Sequence, residues 1–272
     1  MKYYMVSDIH GNYRTLMKLF DQLINLQEVF NEDAKLFFLG DYINGGNNSY
    51  KVINCLYNLQ QCFIEGNYDD ALVVLRGNHE EAFIEFLQGK NDLWIVDDHD
   101  FSTVKTFLTK GQFAMLKILS KDDDFHKIAT FVRKMIFKNH KELIKWLYQL
   151  PYYYETEHQI MVHAGIDEEA EDLWKVGTPD YYFVGKYPAT TGKFIKDIVA
   201  GHVSSAAIAN DENYLGKVYY DGQSHYFIDG TIHKSKKLPV LIYDTDNEKY
   251  SSIYMECDSE DNLMFYIKEK TE

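Results

Sequence analysis

The sequence predicts an α/β fold in which a β core is flanked by helices. The first 90 or so residues alternate short apolar runs with segments of helical period, which is typical of strands joined through helices. Residues from about 90 to 150 break this alternation and predict helices alone. After Pro151 the chain again shows short apolar runs typical of strands.

The first part contains three strand–loop–helix units, each an apolar run that ends in a polar turn and leads into a helix. The predicted strands cover residues 2–6, 35–39 and 72–75, and the predicted helices cover residues 13–26, 48–61 and 80–88. Asn12 is placed to cap the first helix. This βαβαβα order is typical of a sheet of parallel strands covered by helices.

The remaining elements follow from the same patterns. Helices are predicted at residues 130–139 and 141–150, and strands at residues 152–155, 159–163, 198–200, 225–229, 240–244, 250–256 and 263–268. The last three strands could form an antiparallel meander. Because no stretch resembles a linker, we expect one domain over residues 1–272 with a helical insertion at about 90–150.

The net charge of −14 and the pI of about 5.1 restrict the partners of the chain. Nucleic-acid duplexes and anionic membrane surfaces attract positively charged proteins, so neither is an expected partner. A substrate that carries phosphate would also be repelled unless cations at the site reverse the local field. The composition therefore allows phosphate chemistry only together with metal ions.

The cysteines and the apolar runs indicate a cytoplasmic protein. Cys55 and Cys62 lie on one predicted helix, roughly 10 Å apart along its axis, which is too far for a disulfide. Cys257 is left over, so a reducing compartment is favoured. The chain reaches Asp8 before the apolar core of a signal peptide could form, and no run approaches the roughly 18 apolar residues of a membrane span.

Five short segments place metal-binding residue types directly after apolar runs. They are Asp8-Ile9-His10-Gly11, Gly40-Asp41-Tyr42, Gly77-Asn78-His79-Glu80, His163-Ala164-Gly165 and Gly201-His202. In open α/β sheets, ligands bind beyond the carboxyl ends of the strands, so these segments can converge there. The neighbouring glycines let the backbone turn sharply and approach a ligand.

Each segment alone has an ordinary explanation as a turn, a helix cap or a hydrogen-bonded histidine. Together they favour a metal site, because otherwise five unrelated turns would all present ligand types at strand ends. Carboxylate and imidazole suit Mn²⁺, Fe²⁺ and Zn²⁺, and the absence of cysteine from the segments argues against a structural zinc site.

The order of these motifs, DxH, GDxx, GNHE, HAG and GH, resembles that of the calcineurin-like metallophosphoesterases. The context Leu75-Arg76-Gly77-Asn78-His79-Glu80 is similar to the phosphoprotein phosphatase branch, which includes bacterial and phage serine/threonine phosphatases and symmetrical diadenosine tetraphosphate hydrolases. The resemblance extends from Asp8 to His202 and on to Ile228-Asp229-Gly230. It implies a two-sheet β core, an α+β sandwich flanked by helices, whereas no motif covers the insertion.

The resemblance also implies two divalent metal ions, with Mn²⁺ favoured and Fe, Zn or Ni as alternatives. The implied ligands are Asp8 and His10 on the first ion, Asp41 as a bridge, and Asn78, His163 and His202 on the second ion. Asn78 would also contact the phosphoryl oxygens, and His79 resembles the general acid. Two such ions bind a water between them and lower its pKa, so that hydroxide attacks phosphorus in line.

The second motif departs from the family pattern GDxxDRG. Asn44 stands where the family has the aspartate that orients the catalytic histidine, and Gly45 stands where the family has the arginine that binds the substrate phosphate. Arg76 and Arg133 are the candidates for a phosphate contact, although each is also explained as an ordinary structural or surface residue. Asn44 can still orient His79 by a hydrogen bond.

Three functions remain open on this sequence. The first is hydrolysis of phosphate monoesters, most simply of phosphoserine or phosphothreonine in proteins. The second is hydrolysis of dinucleoside polyphosphates such as diadenosine tetraphosphate. The third is a metal- and phosphate-binding module without turnover, because Asn44 and Gly45 both weaken the catalytic design. The complete ligand set and His79 favour an enzyme acting on a phosphorylated protein, small phosphate ester or nucleotide.

Overall fold

The computed structural model describes residues 1–22, 29, 31–122, 124–257 and 268–269. The strands are β1 (Lys2–Val6), β2 (Ala34–Phe38), β3 (Leu72–Val74), β4 (Tyr153–Glu155), β5 (Gln159–Val162), β6 (Asp197–Ser204), β7 (Tyr219–Tyr220), β8 (His225–Asp229), β9 (Lys237–Asp244), β10 (Lys249–Glu256) and β11 (Lys268–Glu269). The α-helices are α1 (Tyr13–Gln22), α2 (Ser49–Glu65), α3 (Asn78–Leu87), α4 (Trp94–Asp97), α5 (Val104–Phe107), α6 (Lys110–Leu119), α7 (Phe125–Gln149), α8 (Trp174–Gly177), α9 (Asp180–Gly185), α10 (Ser205–Ala209) and α11 (Ile232–Ser235). Short 3₁₀ helices lie at His99–Phe101, Ser120–Asp122, Glu168–Leu173 and Glu212–Tyr214.

The described strands form two mixed sheets. Sheet 1 has the order β11-β10-β9-β1-β2-β3, and sheet 2 has the order β4-β5-β6-β8-β7. The parallel strands are β1, β2 and β3 in sheet 1, and β5, β6 and β8 in sheet 2. The other pairings are antiparallel. The predicted α/β fold with a two-sheet core is therefore confirmed.

The alternation of side chains along the strands explains why the sheets stack. Successive residues point to opposite faces, so Met5 and Phe37 face sheet 2 and meet Met161 from that sheet in one apolar cluster. Val6 and Phe38 face the opposite way and pack with the helices that follow the strands of sheet 1. On the outer face of sheet 2, a third cluster covers that sheet; it contains Ile160, Val162, Ile198, Trp174 and Phe183. The layers are thus helices, sheet, sheet and helices.

The two helices expected at 130–139 and 141–150 both form within the element α7, and they meet at His140, which has the non-helical angles φ −137° and ψ 37°. The predicted meander is present as β9, β10 and β11. Residues 23–26 of the first predicted helix, and residues 263–267 of the last predicted strand, lie outside the described residues. Within the described ranges, no helix is both long enough and apolar enough to cross a bilayer.

Candidate metal centre

The carboxyl ends of parallel strands from both sheets meet at one place. Asp8 and His10 follow β1, Asp41 follows β2, Asn78 opens α3 after β3, and His163 follows β5. His202 lies inside β6, where the pairing with β8 shifts register between Ala200 and Ser204. Such an irregularity re-aims a side chain, and here it turns His202 toward the strand ends.

The loops after β1 and β2 are bonded to each other beyond the sheet. The backbone N–H of Asp8 donates to the carbonyl of Gly40 at 3.1 Å, and that of His10 donates to the carbonyl of Asp41 at 2.9 Å. Gly40 has φ +107°, and a Cβ there would lie 2.6 Å from Cα of Gly77 and 2.7 Å from Nδ1 of His163. Only glycine fits that position, because the β3 loop and His163 pack directly against it.

A single buried carboxylate, that of Glu80, holds the loops after β2 and β3 together. Its Oε1 accepts the N–H groups of Tyr42 and Ile43 at 2.9 and 3.2 Å. Its Oε2 accepts the N–H groups of Asp41 and Gly77 at 2.8 and 3.1 Å. Glu80 is fully buried, so these four bonds fix Asp41 relative to the start of α3.

Asp41 lies between two groups of histidines. Oδ2 of Asp41 is 3.8 Å from Nε2 of His10 and 3.7 Å from Nε2 of His79. Oδ1 of Asp41 is 3.4 Å from Nε2 of His163. Ligand atoms at 2.0–2.1 Å from one ion lie about 3.0–3.4 Å from each other, so these spacings are close to those of a coordination shell.

Two sets of potential ligand atoms share Asp41. In the described part of the chain, one set is His10, Asp41 and His79, and the other is Asp41, His163 and His202; within each set the atoms lie within 4.8 Å of one another. Asp8 adjoins the first set, because its Oδ1 is 3.8 Å from Nε2 of His10.

The Asn78 amide completes the second set. Its Oδ1 lies 2.9 Å from Nε2 of His163 and 3.0 Å from Nδ1 of His202. The same end of the amide is 3.1 and 3.3 Å from the two carboxylate oxygens of Asp41. An amide oxygen placed against two carboxylate oxygens is stable only with a cation among them, whereas an amide nitrogen there would hydrogen-bond the carboxylate and both rings. The donor set therefore fits a divalent metal ion.

Backbone carbonyl groups hold two of the histidine rings in the orientation that a ligand needs. Nδ1 of His163 donates to the carbonyl of Leu39 at 2.8 Å, and Nδ1 of His10 donates to the carbonyl of Ile43 at 3.1 Å. Each ring therefore leaves Nε2 free for coordination and points it at Asp41. A second hydrogen bond of this kind is usual for histidines that bind metals.

The charges of the cluster are unbalanced without cations. Burial, together with the charge of Asp229, raises the pKa of Asp8 to about 8. Burial opposes the charged form of His163, but the neighbouring Asp41 outweighs it and raises the pKa of His163 to about 10. Burial and the His163 charge lower the pKa of His202 to about 4. A proton on His163 thus takes the place that a cation beside Asp41 would fill.

Comparison with known proteins identifies the family. The family model of the calcineurin-like phosphoesterases matches residues 1–233. The chain belongs to the calcineurin-like phosphoesterase family. The resemblance predicted from the motif order is therefore confirmed.

The chain is similar to several curated phosphoesterases over part of its length. It is 35% identical over 106 residues to the symmetrical bis(5'-nucleosyl)-tetraphosphatase of Buchnera aphidicola subsp. Schizaphis graminum, a match that covers 36% of this chain and 37% of that protein. It is 40% identical over 89 residues to the serine/threonine-protein phosphatase 2B catalytic subunit A2 of Saccharomyces cerevisiae, covering 32% of this chain and 13% of that protein. The chain thus spans well under two thirds of the length of these relatives.

One solved structure shares the fold over nearly the whole chain. A cold-active protein tyrosine phosphatase superposes with a TM-score of 0.54 at 17% sequence identity, covering 96% of this chain and 78% of that chain. At this level of identity the likeness shows a common fold and says nothing about substrate.

The two arginines considered for phosphate binding in this calcineurin-like phosphoesterase point elsewhere. The guanidinium of Arg76 donates to Glu81 at 2.7 Å and to the carbonyl of Tyr148 at 2.8 Å. Arg133 pairs with Asp92 and lies over the ring of Phe86, toward the far end of α3 from His79. The structure does not bring either guanidinium to Asp41, so a contact with substrate phosphate stays a prediction for both.

Three further residues of the site region were not assigned a role from the sequence. Glu80 was visible in the GNHE motif, but only its bonds show that it joins two loops. Asp229 ends the apolar run of β8, and its buried carboxylate raises the pKa of Asp8. Thr103 carried no signal, because it reaches Asn44 from the insertion, 59 positions along the chain.

Proposed function

We propose that the chain hydrolyses phosphate monoesters with two divalent metal ions. The observation that supports this most is the position of the Asp41 carboxylate, whose two oxygens face different histidine groups. A carboxylate shared in this way is the group that can bridge two ions. The proposed ligands are those expected from the sequence: Asp8, His10, Asp41, Asn78, His163 and His202.

Two divalent ions bound there would lower the pKa of a water molecule and polarise the phosphoryl oxygens. The residues of the chain hold and orient these participants. His10 and His163 present Nε2 because their Nδ1 atoms are bonded to carbonyl groups. His79 is the proposed general acid, since its side chain is 35% exposed and its Nε2 lies 3.7 Å from Asp41. Mn²⁺ is the proposed ion, because it suits carboxylate, amide oxygen and imidazole.

For the substrate we propose phosphoserine or phosphothreonine in a protein. The matched serine/threonine-protein phosphatase supports this class. The matched symmetrical bis(5'-nucleosyl)-tetraphosphatase supports a second candidate, a dinucleoside polyphosphate. We also propose that the protein works in the cytoplasm, which is supported by the free thiols of Cys55 and Cys62.

The test is a parallel assay of the full chain after removal of metals with a chelator. The protein is reloaded with Mn²⁺, Fe²⁺, Zn²⁺ or Ni²⁺ and given p-nitrophenyl phosphate, a phosphoserine peptide and diadenosine tetraphosphate. We expect up to two bound ions per chain and turnover of both monoesters with Mn²⁺. Asp41→Asn should weaken both sites, because it removes a negative charge between two dications. Asp70→Asn is the matched control, since Asp70 is an exposed carboxylate paired with Lys35.

Each alternative has its own result. Faster turnover of diadenosine tetraphosphate than of the monoesters would favour the nucleotide substrate. Two bound ions without turnover of any substrate would favour a binding module. Unchanged metal content and turnover in Asp41→Asn would show that Asp41 is not a metal ligand.

A further inference from the structure

We propose that the chain associates with a second copy of itself, through a basic face on α6 of one copy and an acidic face of the other copy. The exposed residues of the basic face are Lys110, Ala114, Met115, Lys117 and Ile118. The exposed residues of the acidic face are Glu169, Glu171, Asp172, Leu173 and Val176. The proposal goes beyond the proposed function and does not depend on it, because no residue of either face belongs to the candidate metal centre.

Helix α6 leaves most of its apolar side chains outside the core. Six of its ten residues are apolar, but only Leu116 is buried. Met115 and Ile118 are 48% and 59% exposed. The apolar stripe of a surface helix normally faces the core of its own chain. An exposed stripe of this kind therefore indicates a surface that another molecule covers.

The exposed side of α6 also carries positive charge. Lys110 and Lys117 are seven residues apart, so they lie along one side of the helix, next to Ala114 and Ile118. The ammonium group of Lys117 lies over the ring of Phe113, and no described residue forms an ion pair with either lysine. Residues 102–121 contain four lysines and no aspartate or glutamate, in a chain with a net charge of −14. The partner of this face must therefore combine apolar and acidic side chains.

The acidic face lies between β5 and β6 and combines those two properties. Leu173 and Val176 are 65% and 88% exposed, so this face is also apolar. Glu169, Glu171 and Asp172 are exposed beside them. Within the described ranges, none of these three carboxylates takes part in an ion pair.

The neighbouring charges of the acidic face are already used inside the molecule. Lys175 pairs with Glu155, so it does not neutralise the acidic face. Lys186 pairs with Glu168 in the same way. The three exposed carboxylates are therefore available to the lysines of another copy.

The match between the two faces favours a second copy over other partners. Their contact would bury apolar surface and would pair lysines with carboxylates. Two basic faces pressed together would instead bring like charges together, which costs free energy. An anionic membrane would attract α6 but would repel the rest of a chain with this net charge. Because the two faces differ, the contact is head-to-tail, and further copies can add at each end.

Sedimentation velocity of the full chain loaded with Mn²⁺ measures this association. Contacts of this small size give micromolar or weaker affinities, so the average mass should rise above 31.9 kDa between about 10 µM and about 1 mM protein. Raising NaCl from about 50 mM to about 500 mM should weaken the association about fivefold, because salt screens exposed charges. A monomer over the whole concentration range at low salt would overturn the proposal.

A charge exchange tests which faces meet. Lys110→Glu/Lys117→Glu makes both faces acidic, and Glu171→Lys/Asp172→Lys makes both faces basic. Each variant alone should associate at least about tenfold more weakly than the parent, because like charges now meet. An equimolar mixture of the two variants should associate like the parent, because each contact between unlike variants joins opposite charges. A mixture that stays monomeric would contradict the pairing of these two faces.

Matched variants separate the two faces from the rest of the surface. Lys234→Glu/Lys249→Glu makes the same change in net charge at exposed lysines outside both faces, and it should associate like the parent. Ile118→Ser and Val176→Ser should each weaken association about fivefold, because each removes buried apolar contact. Ile64→Ser, at an exposed apolar residue of α2, should have no effect. Equal losses in the controls and in the face variants would overturn the proposal.

The last measurement adds vesicles of phosphatidylcholine and phosphatidylserine to the parent and to Lys110→Glu/Lys117→Glu. We expect neither protein to sediment with the vesicles. If the parent stays monomeric and sediments with them while the variant does not, α6 binds anionic lipid and the proposed partner is wrong. Thermal unfolding of each variant shows that its fold is retained, so that a loss of association reports on the face alone.

Discussion

At the residue scale, the candidate metal centre is built from backbone conformations that most residues avoid. Asp8, His10, Asp41, Asn44 and His202 have φ between 47° and 65°. Left-handed conformations are disfavoured for side chains with a Cβ, although aspartate, asparagine and histidine tolerate them better than most residues. These types are also those that bind metals, so one choice of residue serves both the turn and the ligand.

Asp8 is expected to destabilise the metal-free protein in a way that depends on pH. An unfolded aspartate ionises near pH 3.8, whereas burial and Asp229 raise the pKa of Asp8 in the fold to about 8. The favourable contribution of the protonated form is therefore complete below about pH 4 and is lost as pH rises to about 8. In the presence of a chelator, Asp8→Asn should be more stable than the parent at pH 8 and nearly equal to it at pH 4.

Urea unfolding at several pH values measures this difference. Asp70→Asn serves as the control, because Asp70 is exposed and bonded to Lys35, and it should gain nothing at high pH. With metal added, the parent should be more stable than Asp8→Asn, since the variant has lost a ligand. A gain that is the same at pH 4 and pH 8 would contradict the assignment of the effect to the Asp8 charge.

Gly45 is expected to resist replacement. It has φ +89°, and a Cβ there would lie 3.4 Å from Cβ of His10. Gly45→Ala should cost roughly 1–2 kcal/mol of unfolding free energy. Gly45→Arg should carry the same backbone strain. Placing the family's arginine at this position is therefore expected to lower the free energy of unfolding even if the side chain contacts phosphate. Gly111→Ala is the opposite case. Gly111 lies in α6 with open space around it, so this substitution should raise the free energy of unfolding by about 0.5–1 kcal/mol. Thermal unfolding of the three variants measures the expected loss of stability at Gly45 and the expected gain at Gly111.

At the element scale, α3 is the part that joins the strand loops into one site. Its first residues carry Asn78 and His79, and the N–H of His79 donates to Oδ1 of Asp41 at 3.0 Å. The amino end of a helix favours such a negative partner. Glu80, one residue further on, binds the loop after β2 from the other side. The helix therefore fixes both the position of Asp41 and the direction of His79.

Glu80→Gln should weaken the fold and the metal site together. Glutamine keeps one acceptor oxygen, and its NH₂ group would face two of the four backbone N–H donors. An unsatisfied buried donor costs about 1–3 kcal/mol, which should appear in urea unfolding. Metal affinity should fall as well, because Asp41 is no longer held. Glu85→Gln on the same helix is the control, and an equal midpoint for Glu80→Gln and Glu85→Gln would contradict this role.

The sequence predicts elements well where the pattern is short and local. β1, β2 and β3 lie within a residue or two of their predicted positions, because each is an apolar run that ends at a polar turn. The break expected between the helices at 130–139 and 141–150 falls at His140, where the backbone of α7 leaves helical angles and Nε2 bonds the carbonyl of Phe107 at 2.7 Å.

At the scale of the whole molecule, the site is shared between two sheets. Asp8, Asp41 and Asn78 come from sheet 1, and His163 and His202 come from sheet 2. The backbone N–H of His202 donates to Oδ2 of the Asp8 side chain at 3.2 Å, and this hydrogen bond already links the sheets. Metal ions bound here would tie the two layers together.

Metal binding should therefore raise the unfolding temperature of the whole chain. At a free metal concentration of about 1,000 times Kd, each occupied site adds about 4 kcal/mol to the free energy of unfolding. In a chain of this size, each kcal/mol raises the unfolding temperature by about 2 °C or more. Asp41→Asn should lose most of this gain, whereas Asp70→Asn should keep it. Differential scanning calorimetry with Mn²⁺ and with a chelator measures both. A metal-independent unfolding temperature in the parent would contradict a site that bridges the sheets.

The motifs predicted that six side chains from distant segments would meet, and the structure brings them together. Their roles as ligands stay predictions until metals are measured. The link from Thr103 through Asn44 to His79 could not be predicted, because it depends on how the insertion docks and not on any local pattern. The pairing of Arg133 with Asp92 could not be predicted either, since it depends on the packing of α7 against α3.

The order of the ligands along the chain has a consequence for biosynthesis. Asp8, His10, Asp41 and Asn78 all lie within the first 78 residues, whereas His163 and His202 come much later. At about 5–20 residues per second, synthesis of the 124 residues from Asn78 to His202 takes roughly 6–25 s. A nascent chain would have one half of the site for that time and could capture one ion before the second half exists. The ribosome would thus impose an order on metal loading that the finished protein no longer shows.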